Sequence, residues 1–77
     1  MKRSFNRPSA ERPGETDYFV ISTRWVASKS ATRITIVQRA AGEREETTSI
    51  IADSGMDYYG FVADTTEELL DEGWEET

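Results

Sequence analysis

Thirteen of the 14 Leu, Ile, Val and Phe residues of this 77-residue chain lie between Phe19 and Leu70, and the chain has no cysteine. A chain this short buries only about 60% of the surface it exposes when unfolded, so one thin core in the middle has to support everything else. Without cysteine, neither a disulfide framework nor a thiolate metal site can staple that core. With 14 such residues in 77 and a net charge of −6, the whole chain sits near the composition of disordered proteins. The concentration in the middle is what makes it foldable.

That middle reads as strands. Over residues 18–27 the run YFVISTRWVA is rich in β-branched and aromatic residues, and Phe19, Ile21, Thr23, Trp25 and Ala27 fall on one face. Trp25 is thereby expected in the core. A second strand over 32–40 alternates Ile34 and Ile36 against Arg33, Thr35, Val37 and Arg39, the pattern of a half-buried antiparallel strand. A turn around Gly42 leads to a third strand over 46–52. Residues 58–63, YYGFVA, read either as a fourth strand or as an irregular cover, and Gly60 weakens the strand option.

The two ends read differently. Residues 1–17 carry both prolines, Gly14 and four basic side chains without an apolar period, and are expected to form an extended basic arm. At the other end Thr65 and Glu68 have the spacing of a capping box, which predicts a short helix over about 65–73. Acids in its first turn would suit the helix dipole, Leu70 and Trp74 would share one side, and Gly73 would stop it. The expected fold class is α+β, with a three- to four-stranded antiparallel meander, one short acidic C-terminal helix and the arm. Residues 18–77 form the single domain.

Charge is divided along the chain. Residues 1–42 hold eight Lys or Arg and three acids, a balance of +5, and residues 43–77 hold one Arg and twelve acids, a balance of −11. With no histidine and no cysteine, the usual nucleophile and base arrangements and His or Cys zinc sites are excluded. No glycine-rich phosphate loop is present, and Lys2 and Lys29 stand in segments too open for Schiff-base chemistry. The expectation is therefore no enzyme, no catalytic residue, no cofactor and no metal. Asp53 and Asp57 in DSGMD have oxygen ligands at a suggestive spacing but lack the rest of a calcium loop, so a solvated turn is favoured. Arg24, Arg33 and Arg39 with Trp25 invite a nucleic-acid interface, against which the acidic total weighs; direct nucleic-acid binding is the less favoured option. No apolar stretch is long enough to span a membrane, no secretory leader is evident, and a cytoplasmic location is expected.

The acidic end is the strongest functional hint. Carboxylates at regular spacing on a rigid element imitate a nucleic-acid backbone, and Asp64, Glu67, Glu68, Asp71, Glu72, Trp74 and Glu75, with Tyr58 and Tyr59 beside them, are the candidate partner-binding residues. Leu69, Leu70 and Trp74 alternatively form an amphipathic anchor, or Leu70 and Trp74 simply cover the open sheet face. In its small size, lack of cysteine, use of arginine over lysine, and pairing of a small sheet with an acidic helix, the chain is similar to phage-encoded inhibitors of host defence and host nucleic-acid enzymes, the group that includes anti-CRISPR proteins. That resemblance implies a small viral inhibitor acting in the host cytoplasm on a nucleic-acid-handling protein, and it assigns no residue. The competing expectation is a structural or assembly subunit such as a minor virion component, its basic arm threading along a neighbour. Pairing of two copies through a sheet edge is compatible with either.

Overall fold

The computed structural model describes residues 1–53 and 58–77; Asp57, and with it the DSGMD spacing, lies outside the described residues. Among these residues five strands and one helix follow in the order β1 (Lys2–Pro8), β2 (Thr16–Val26), β3 (Ala31–Arg39), β4 (Glu46–Ala52), α1 (Tyr58–Asp71) and β5 (Glu75–Glu76), with a 3₁₀ turn at Ala27–Lys29 after β2. The sheet order is β4-β3-β2-β1-β5, and each neighbouring pair is antiparallel. Four strands make a meander; α1 then crosses one face and delivers β5 to the far edge. The α+β class stands, with a larger sheet than expected.

The meander's middle matches the alternation of its sequence. Phe19, Ile21 and Ile34 are buried on the helix side, and Ile36 and Ile50 pack against them from adjoining rows. Val62 and Leu69 of α1 and Trp74 beyond it close the layer from above. The β2–β3 reversal places Ser30 at φ 47°, and the β3–β4 reversal uses Gly42 at φ +81°. Glycine adopts that backbone without a Cβ penalty, and here a Cβ would also fall 2.4 Å from the Arg12 guanidinium.

Four expectations need correction. Residues 2–8 are not an arm: they form β1, paired with β2 from Lys2↔Ser22 to Pro8↔Thr16, and Phe5 is 1% exposed in the core. One apolar residue was too weak a periodic signal, and the strand is held by backbone pairing on both sides. Residues 58–63 are neither strand nor irregular cover, because α1 begins at Tyr58. Thr65 therefore lies inside the helix, where its hydroxyl donates 2.8 Å to the Phe61 carbonyl instead of capping.

Trp25 is the third correction. It is 61% exposed, because β2 runs on past the end of the covered area while its alternation continues. The fourth concerns the helix's apolar pair: Leu69 is buried and Leu70 is 50% exposed, so Leu70 does not share the covered side with Trp74. Gly73 does stop the helix. At φ +90° it lets its own N–H reach the Leu70 carbonyl (3.2 Å) and the Trp74 N–H reach the Leu69 carbonyl (3.0 Å), the paired bonds of a Schellman motif. That turn swings Trp74 under the helix, where Leu69 and Trp74 join the same cluster.

Candidate binding surfaces

The sheet register sorts the basic residues between two faces. On the helix side, Arg3 and Arg7 flank Phe5 in β1 and are consumed by the fold. Arg3 forms a two-pronged pair with Glu76 of β5 (2.6 and 2.9 Å) and a bond of 3.3 Å to the Thr66 hydroxyl. Its guanidinium holds the Glu76 carboxyl below the usual range. Arg7 lies 4.4 Å over the Trp74 ring and 3.3 Å from Asp17. Asp17 also accepts the Ala41 N–H at 2.8 Å, and that bond, with the Arg7 contact, lowers its carboxyl from the ordinary value.

The outward side of α1 is acidic. Asp64, Glu67, Glu68, Asp71 and Glu72 are all exposed, and among the described residues none of them forms an ion pair. Their spacing of i, i+3, i+4, i+7 and i+8 sets neighbouring acids roughly 5–6 Å apart. Because α1 starts seven residues earlier than expected, these acids do not occupy its first turn. No acid does, and no base occupies the last turn. Asp71 and Glu72 instead stand at the negative end of the dipole, where a carboxylate is unfavourable.

Of the other candidate residues, the structure keeps some at the surface and withdraws others. Trp74 is 9% exposed and meets Phe19 edge to face at 6.1 Å, so it belongs to the core and not to a contact surface. Glu75 is exposed in β5. Tyr58 is half-buried and stacks on Tyr59, ring centroids 4.3 Å apart, while Tyr59 is 71% exposed in the first turn of the helix. Contact with Tyr59 raises the Tyr58 hydroxyl above its usual range. An amphipathic anchor made of Leu69, Leu70 and Trp74 is thus reduced to Leu70, since the other two are spent inside the fold.

The open face of the sheet is basic. Lys2, Arg24, Arg33 and Arg39 all fall on it, and its positions in β1 to β4 carry no acid. Arg39 lies 4.9 Å over the Tyr18 ring, and the Tyr18 hydroxyl donates to Glu45 at the rim. Arg24 and Arg33 are direct cross-strand neighbours. This juxtaposition was hidden in the sequence because it depends on the β2–β3 register, nine residues of chain apart.

Among the described residues no group of three or more acidic, His or Cys side chains is placed to hold a metal ion, and no helix is long and apolar enough to cross a membrane. No protein-family model, no curated protein and no solved structure matches this chain.

Proposed function

We propose that this chain is a binding module without catalytic activity, and that its acidic helix docks onto the basic, nucleic-acid-binding surface of a partner protein and blocks it. One observation carries the proposal. Five carboxylates stand exposed and unpaired along α1, in an arrangement that repels itself and opposes the helix dipole. Folding does not call for that charge, because packing of Val62, Thr66 and Leu69 and the Gly73 turn hold the helix. A basic groove would relieve it, and such a contact forms fast and weakens with salt. Leu70, exposed in the last turn among these acids, supplies apolar contact beside the charges.

The test compares the parent with the variant Glu67→Gln, Glu68→Gln, Asp71→Asn, Glu72→Gln. The parent should capture a nucleic-acid-handling protein from the native host's lysate and displace nucleic acid from it, with the captured protein released by high salt; the four-amide variant should do neither. Equal capture by both would rule out the helix as the contact. The competing reading, an assembly subunit, drew on a free N-terminal arm; since those residues are β1, it retains only the open β4 edge as support.

A further inference from the structure

The corner of the sheet where β2 runs past the helix into the β2–β3 hairpin has no task in the fold. Arg24 and Arg33 sit directly opposite one another in the β2–β3 ladder, and like charges in that position are destabilising. Fifteen acids are present in the chain, yet among the described residues neither arginine pairs with one. Trp25, the next residue of β2 and so on the helix side of the sheet, presents three-fifths of its surface to solvent. Arg24, Arg33 and Trp25 line one shallow hollow together with Val26 and Ala27. Lys2 extends the positive surface onto β1, one row along.

We infer that this corner binds single-stranded nucleic acid, with Arg24 and Arg33 taking backbone phosphates and the Trp25 indole stacking on a base. The inference is independent of the role proposed for the helix. Two guanidiniums held side by side lose their mutual repulsion when a phosphate lies between them. An exposed indole next to a cationic track is the pairing that single-strand binders use, because every base offers it a flat face. An acidic protein segment would satisfy the arginines and leave the indole without a flat partner. A duplex keeps its bases stacked inside and out of reach of a side chain on a sheet corner. The acids of α1 do not forbid the contact: the two arginines are on the other side of the sheet from α1, and charges are screened over roughly 8 Å at physiological salt.

The experiment measures anisotropy of a labelled oligothymidylate, together with tryptophan emission, starting at low salt. Saturable binding that quenches emission and falls as salt rises is expected. Trp25→Phe should remove the quenching, and Arg24→Gln with Arg33→Gln should weaken binding by about tenfold or more, without lowering the melting point, since a repulsion has been removed. Arg24→Gln alone should read the same loss in smaller measure. The inference is overturned if the oligonucleotide does not bind, if the double variant binds as the parent does, or if a duplex or a polyglutamate peptide binds as tightly.

Discussion

The two tryptophans have opposite surroundings, and the difference is testable one residue at a time. Trp74 stacks its edge on Phe19, lies under Arg7 and closes the core, so Trp74→Ala should cost about 3–5 kcal/mol, a large share of the roughly 4–12 kcal/mol total for a chain of this length. Trp25→Ala should leave the melting temperature close to the parent's. Thermal melts followed by circular dichroism separate the two, and a Trp25→Ala variant that unfolds would mean the exposed indole is tied down after all. Asp17 carries the pH dependence. The Ala41 N–H and Arg7 favour its charged form, so its folded pKa lies below the unfolded value. Its contribution to stability is complete above the ordinary carboxylate range and is lost as pH falls through the depressed folded value. Asp17→Asn should therefore lower stability at neutral pH and reduce the loss of stability on acidification; an unchanged acid limb in pH-dependent melts would remove Asp17 from the account.

Among the elements, β1 is where reading the chain and seeing it folded diverge most. Its single strong hydrophobe, Phe5, is the one member of the Leu, Ile, Val and Phe set outside the central segment, and it is almost wholly buried. Residues 2–8 bridge β2 and β5 and lend Arg3 and Arg7 to the helix side. Deleting residues 1–8 should abolish cooperative unfolding, because it strands β5 and opens Phe19 and Ile21 to water; a truncated chain that melts like the parent would mean that β1 is dispensable. The helix makes the converse prediction. Each carboxylate at its C-terminal end costs about 0.3–1 kcal/mol at low salt, so Asp71→Asn with Glu72→Gln should raise the melting temperature by several degrees, and added salt should shrink the gain. No gain at low salt would show that these charges are not strained in the folded protein.

At the scale of the whole molecule, the charge asymmetry along the chain becomes an asymmetry between faces. The basic N-terminal half and the acidic C-terminal half do not neutralise one another, because the chain places the open strand positions on one side of the sheet and α1 on the other. Only the Arg3–Glu76 pair joins the two halves through side-chain charges among the described ion pairs. Legible from the residues alone were the α+β class, the strands over residues 18–27, 32–40 and 46–52 to within about two residues, an acidic helix stopped by Gly73, and the lack of histidine and cysteine chemistry. These are local matters, carried by side-chain period, turn residues and composition. It took the packed fold to make the N-terminal residues a strand, to turn Leu69 and not Leu70 inward, to leave Trp25 outside and Trp74 inside, and to bring Arg24 opposite Arg33. Each of these depends on which segments pair and on how far the helix reaches over the sheet, contacts between residues distant in sequence that no local pattern encodes.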